Sequence, residues 1–214
     1  MNVVVDNLDL FGSGLWCTLR LTAVSFALAL LVGTVVATAR VSPAAPLRAA
    51  GLLYVETVRN TPPLVLVLLA VYGLPKAGIR WSLFLCAVLM LGAYTGAFVA
   101  EALRSGIHAV PIGQAEAARA LGLGFGQTLR HVILPQAFRT VVPPLGGLLS
   151  ALVRNTSLAA PAGVLELTAQ AGRINTSDPS PVWIYAAAVV AYMIVTLPLG
   201  ELTRRLERRT AVAR

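Results

Sequence analysis

The sequence predicts an all-α integral membrane protein, a single domain over residues 1–214 built on five transmembrane helices. Three observations carry that reading. The chain is 57% hydrophobic and 12% charged, about half the charged share usual for a soluble globular domain. Its apolar residues gather into five runs, at about 15–39, 52–74, 82–103, 140–163 and 183–203, each close to the ~20 residues a helix needs to cross a hydrocarbon core. Only short polar loops remain between the runs, too little chain for a separate soluble domain.

The first run follows Asp6 and Asp9 and lacks a basic leader, so it is expected to stay as an anchor and not to be a cleaved signal. The second opens on Glu56-Thr57-Val58-Arg59-Asn60-Thr61-Pro62-Pro63. Two consecutive prolines remove two backbone donors, which predicts a kinked or broken helix there. In a membrane such a break is tolerated where freed carbonyls line a cavity or are otherwise paired. Asn60 and Thr61 are accordingly candidate pathway residues. Glu56 and Arg59 stand three apart and can pair. In the third run Glu101 and Arg104 repeat that spacing. The two pairs form a candidate inner gate, with a structural salt bridge or snorkelling as the equal alternative.

The fourth run carries Arg154, Asn155, Thr156 and Ser157. Arg154 lies fifteen residues beyond Arg139, ~22 Å along a helix at ~1.5 Å per residue. At that depth an arginine needs an anion, water or a solute. The four residues are read as facing the substrate, against the alternative that they join helices to one another. Arg20, near the start of the first run, reads as an interfacial snorkel. Glu166 to Val182 reads as an outer loop, with turn formers gathered at 175–181. The fifth run ends in a basic tail suited to anionic membrane lipid.

Topology follows from the basic residues. Eleven arginines fall in one set of alternate loops: Arg40, Arg48, Arg104, Arg119, Arg130, Arg139, Arg204, Arg205, Arg208, Arg209 and Arg214. The other set holds only Lys76, Arg80 and Arg173. The positive-inside rule then places the N-terminus outside and the C-terminus in the cytoplasm. Trp16, Trp81 and Trp183 open the odd-numbered runs, as expected of an outer interfacial belt. The net charge of +8 is thereby accounted for as topology, and nucleic acid is excluded as a partner.

Between the third and fourth spans lies the longest polar interruption, residues 110–136. Residues 114–121 are alanine-rich and favour helix, with Glu116 and Arg119 on one face. Gly122 suits the left-handed position past a helix end. A second helical piece is expected over 127–134, stopped by Pro135. The result is a small cytoplasmic docking helix. No catalytic constellation accompanies it. Cys17 and Cys86 lie in apolar runs, His108 and His131 stand alone, and Gly122-Leu123-Gly124-Phe125-Gly126 lacks the strand and the Lys-Ser/Thr of a phosphate loop. The chain is not expected to be an enzyme, to hold a metal or to bind a cofactor. If its transport is energised, the ATPase is on another chain.

The spacing Glu116-Ala117-Ala118, three residues, Gly122, nine residues, Val132, one residue, Leu134-Pro135 resembles the EAA loop of bacterial ABC-importer permeases. Their pattern has Ile where Val132 stands. Residues 56–64 resemble the Glu-x-x-Arg-x-Thr-Pro-Leu opening of the polar amino acid permeases, with Pro63 an addition. Residues 99–110 resemble the segment before their coupling helix. Residues 154–158 resemble their Lys-Asp-Thr-Ser-Leu motif, with Arg154 for Lys and Asn155 for Asp. Arg40-Val41-Ser42-Pro43, residues 57–62 and residues 113–126 together look most like the glutamate-uptake branch.

The resemblance implies a MetI-like fold of five spans, with a cytoplasmic coupling helix between spans 3 and 4. It implies location in the bacterial plasma membrane and a pathway at the interface of a permease dimer, the second subunit being a related permease or another copy. The partners are cytoplasmic ATPase subunits, which hold the ATP and Mg, and an extracytoplasmic amino-acid-binding protein. Coupling then falls to Gln114, Glu116, Ala117, Ala118, Arg119, Leu121, Gly122 and Pro135. The competing functions are a passive channel or secondary transporter, and a membrane anchor docking a cytoplasmic partner.

Overall fold

The computed structural model describes residues 2–210, and no strand occurs among them. In chain order the helices are α1 (Asn2–Val5), α2 (Leu8–Val41), α3 (Ala45–Arg59) and α4 (Pro63–Gly73), which tightens into a 3-10 turn at Leu74–Ala77. Then come α5 (Leu83–His108), α6 (Ile112–Ala120), α7 (Phe125–Thr128) and a π turn at Leu129–Ile133. The chain ends in α8 (Leu134–Asn155) with a 3-10 extension at Thr156–Ala159, α9 (Leu167–Ser177) and α10 (Pro181–Thr210). Four helical stretches among the described residues are long and apolar enough to cross a bilayer: Leu8–Val41, Leu83–His108, Gly126–Ala159 and Pro181–Arg208. A fifth is present if α3 and α4 are counted as one broken span.

The α2–α5 pair is the spine. Small residues recur on one face of α2, at Thr18, Thr22, Ser25, Ala29, Gly33 and Ala37, and all are buried. Their spacing of three to four puts them in a single stripe. The stripe meets Gly92, Gly96, Ala97 and Ala100 of α5, so the two backbones approach closely. A Cβ built on Gly33 would stand 2.6 Å from Val99 Cβ and 3.0 Å from the Gly96 carbonyl oxygen. Arg20 faces Phe84, Gly92 faces Leu28 and Arg40 faces Glu101, so the two helices run parallel. Large side chains such as Leu31, Val35, Leu53, Leu69 and Ile194 point outward, as suits contact with lipid tails.

The chain departs from the sequence reading at several places. The second span is broken at Pro62-Pro63 as expected, but the size of the bend, 97° between α3 and α4, goes beyond the sequence reading. Pro62 and Pro63 supply no N–H, the Asn60 and Thr61 amides close the end of α3 on Glu56 and Val58, and Pro63 starts α4 at a position where its ring is welcome. Pro135 does not stop a helix. It sits in the first turn of α8, directly after the π turn, whose wider register absorbs the missing donor. Residues 166–177 are not a loop: Leu167, Ala171 and Ile174 line up on the buried face of α9. Arg20 is no plain snorkel, since its guanidinium lies 5.5 Å from the centre of the Phe84 ring.

The ends of the bundle are distinct. Trp16, Trp81 and Trp183 are exposed at one end, where Phe11, Leu167, Ile174 and Ile184 form a core cluster. The opposite end carries the α2–α3 turn, the C-terminal turn of α5 and α6, with Ala37, Val55, Ala97 and Ala100 packed beneath them.

Candidate functional site

α5 and α8 flank a groove made of two adjoining cavities. One, of about 190 Å³, is lined by Tyr94, Thr95, Phe98, Leu148, Leu152 and Asn155 among others. The next, of about 460 Å³, shares Phe98 and Leu148 and is also lined by Arg59, Glu101, Ser105, Thr140 and Pro144. From Thr140 to Asn155 along α8 is ~22 Å at ~1.5 Å per residue. The groove is thus apolar along much of its length, amide-bearing at one end and ionic at the other.

The ionic end is organised by one carboxylate. Glu101 Oε1 accepts from Arg104 Nη2 at 2.5 Å and Nε at 3.2 Å, while Oε2 accepts from Arg40 Nη1. Arg59 Nη1 approaches Oε2 only to 3.9 Å, and its guanidinium lies 5.2 Å from the centre of the Phe98 ring. Glu101 therefore ties α2, α3 and α5 together. The expected Glu56–Arg59 pair does not form: Glu56 is exposed without an ion pair among the described residues, and Arg59 turns to α5. Glu56 stays one turn back on α3, but the Arg59 guanidinium lies against the Phe98 ring and toward the Glu101 carboxylate. The expected Glu101–Arg104 pair is present, but as part of a larger cluster. Arg40 is the member sequence reasoning missed. It reads there as a loop charge, and nothing local links it to a residue 61 positions away.

The polar segment of the fourth span is divided. Asn155 lines the groove. Thr156 is buried and donates to the Val153 carbonyl at 2.8 Å, and Ser157 donates to the Arg154 carbonyl at 2.8 Å. Arg154 itself is exposed, with no partner for its guanidinium among the described residues. At the α3 break Asn60 Nδ2 donates to the Glu56 carbonyl and Thr61 to the Thr57 carbonyl, and neither residue lines the groove.

α6 forms a projection at the ionic end. Gln114, Glu116, Ala117, Arg119 and Leu121 are exposed, Ala118 is buried against the following turn, and Pro135 is exposed. Ile112 and Leu121 present 76% and 82% of their surface, an exposure that leaves two large apolar side chains available to another surface. Gly122 has φ +81°, its N–H bonds to the Arg119 carbonyl and the Leu123 N–H to that of Ala118. This double bond pattern closes a helix in a fixed shape. Glu116 and Arg119 do not pair, because Arg119 Nε donates to the Ala115 carbonyl at 3.3 Å.

A second enclosed carboxylate, and a fully buried one, lies toward the tryptophan end. Glu166 is fully buried, caps α9 by accepting from the Ala169 N–H at 2.8 Å, and accepts from the Tyr192 hydroxyl at 2.7 Å. Burial pushes its carboxyl up from the usual range, while these hydrogen bonds pull it down less strongly. The sequence gives little sign of it, since Glu is not a favoured helix cap.

Residues 29–212 match the model of the family described as binding-protein-dependent transport system inner membrane component. The glutamate transport system permease protein GluC of Corynebacterium glutamicum is 43% identical over 210 residues, covering 92% of each chain. The probable glutamine ABC transporter permease protein GlnM of Bacillus subtilis is 36% identical over 209 residues, covering 98% of this chain and 97% of that one. Among solved structures, a crystal structure of an amino acid ABC transporter with histidines superposes with a TM-score of 0.92 at 34% identity, over 96% of both chains. With all but the first 28 residues and the last two inside the match, the chain belongs to the binding-protein-dependent transport system inner membrane component family.

Proposed function

We propose that the chain is the permease subunit of an ATP-driven importer of polar amino acids, with glutamate the leading substrate. The carrying observation is the α5–α8 groove, which ends at one carboxylate, Glu101, flanked by Arg40, Arg59 and Arg104. Three guanidiniums against one carboxylate favour an anionic solute over a neutral or cationic one. The likeness to the glutamate permease GluC supports that choice, and the likeness to GlnM keeps glutamine as the second reading.

In this reading the α6 end faces the cytoplasm and the tryptophan end faces outward. The broken α3–α4 pair makes the fifth span. Two permeases pair across the groove face, and a binding protein delivers solute to the outer end. ATP hydrolysis takes place on separate subunits that grip α6 through Glu116, its exposed neighbours and Leu121. Movement of α6 is passed to α5 and α8, and the Glu101 cluster opens or closes the inner end of the groove. Arg59 is the mobile partner of that gate, because it makes no hydrogen bond to Glu101 while Arg40 and Arg104 do.

Reconstitution in proteoliposomes with the cognate ATPase and binding protein tests this. ATP-dependent accumulation of labelled glutamate, competed by glutamate more strongly than by glutamine or arginine, is expected. Uptake without ATP that follows an ion gradient would indicate a secondary transporter. ATP hydrolysis or ATPase docking without flux would indicate an anchor.

A further inference from the structure

Beside the Glu101 cluster, between the α2–α3 turn and the end of α5, lies a separate cavity of about 400 Å³. Arg40, Arg48, Arg104 and His108 line it, with Ala45, Ala49 and Leu52. No acidic residue does. Arg40 and Arg104 pair with one carboxylate, Glu101, while Arg48 bonds only to backbone carbonyls, so the three arginines and that carboxylate leave a formal charge of 3 − 1 = +2.

The cations are held and not merely present. Arg48 Nη1 donates to the Ser42 carbonyl at 3.0 Å and the Pro43 carbonyl at 2.7 Å, which fixes it over the turn. Arg40 Nη1 and Arg104 Nε and Nη2 are committed to Glu101. Arg40 and Arg48 keep Nε and Nη2, and Arg104 keeps Nη1, without an acceptor among the described residues. Ala45 brings the first turn of α3 to the same cavity, and no side chain caps that turn. Uncapped amides at a helix start add positive potential where the guanidiniums already converge.

We infer that this cavity binds the phosphate group of an anionic membrane lipid. Guanidiniums pair with phosphate oxygens through parallel N–H donors, so several fixed ones converging on one cavity suit a phosphate group. A lipid is the source, and not free phosphate, because Ala45, Ala49 and Leu52 share the cavity face of α3 at i, i+4 and i+7, all exposed, and offer an apolar track for an acyl chain. Basic pockets between helices at a membrane face take lipid headgroups in this way. The inference needs only that the chain lies in a membrane, and it is independent of which solute is carried.

Native mass spectrometry of the full chain in mild detergent tests it. The unmodified protein should retain phosphatidylglycerol at least five-fold over phosphatidylcholine. Arg48→Gln should lower that retention several-fold, Arg48→Lys should keep more than half, and Lys76→Gln, at the other end of the bundle, should leave it unchanged. Millimolar inorganic phosphate should not displace the lipid. Equal retention of the two lipids by the unmodified protein overturns the site without recourse to any variant. Undiminished retention in a folded Arg48→Gln overturns it as well, and displacement by free phosphate overturns the lipid as ligand.

Discussion

Glu101 and Glu166 are both carboxylates enclosed by helices, yet their surroundings differ in kind. Glu101 is held charged by Arg40 and Arg104, so its removal leaves guanidiniums facing one another. Glu101→Gln is expected to cost on the order of 2 kcal/mol, read as a lower unfolding temperature in detergent. Among the described residues Glu166 has no cation within bonding reach, only N–H and O–H donors, and burial raises its pKa above the ordinary 4.5. The folded chain then holds the proton more tightly than the unfolded chain does. The stabilising contribution is complete below about 4.5 and is lost as pH rises through the raised value. Unfolding temperature measured across that range should fall with pH, and Glu166→Gln should flatten the slope. An unchanged slope in the variant would assign the pH dependence to other groups.

α6 shows how an element can be fixed in shape while being weakly held. Its end is closed by Gly122 at φ +81°, a conformation costing other residues ~1–2 kcal/mol. Gly122→Val should loosen the helix end and lower substrate-stimulated ATP hydrolysis in the reconstituted transporter, with membrane insertion unaffected. This closure was legible in the sequence because it depends on neighbours only: an alanine-rich run, then a glycine. The break at Pro62-Pro63 was legible for the same reason, since absent donors are a property of the residues themselves. The 97° between α3 and α4 was not, because it is set by what Val55 and Val67 pack against. The sequence predicts a loop at α9 because turn formers at its far end mask the Leu167, Ala171, Ile174 stripe. Pro135 misled because proline bars a regular helix interior, and the π turn before it is a tertiary accommodation that leaves no mark in the sequence.

Across the whole molecule the α2–α5 seam sets the packing, and it has no slack at Gly33, where Val99 Cγ1 and Cβ and the Gly96 carbonyl oxygen are the nearest atoms. Gly33→Val should cost about 1–3 kcal/mol by overpacking, seen as lower yield of folded protein and a lower unfolding temperature. If two permeases face each other across the α5–α8 groove, a cysteine at Leu148 in a chain with Cys17 and Cys86 replaced should crosslink into dimers, whereas one at outward-facing Leu53 should not. Classes of fold and transport were legible because apolar run length and the loop spacing survive translation into structure residue by residue. The shared carboxylate at Glu101 was invisible, since it joins positions 40, 59 and 104 through space. That single anion has a mechanical corollary. With α2 moored to α5 through Arg40 and Glu101 while Arg59 of α3 makes no hydrogen bond there, α2 and α5 form a raft, and in a transporter that uncovers the two ends of the groove in turn the hinge would lie between this raft and the α8–α10 half.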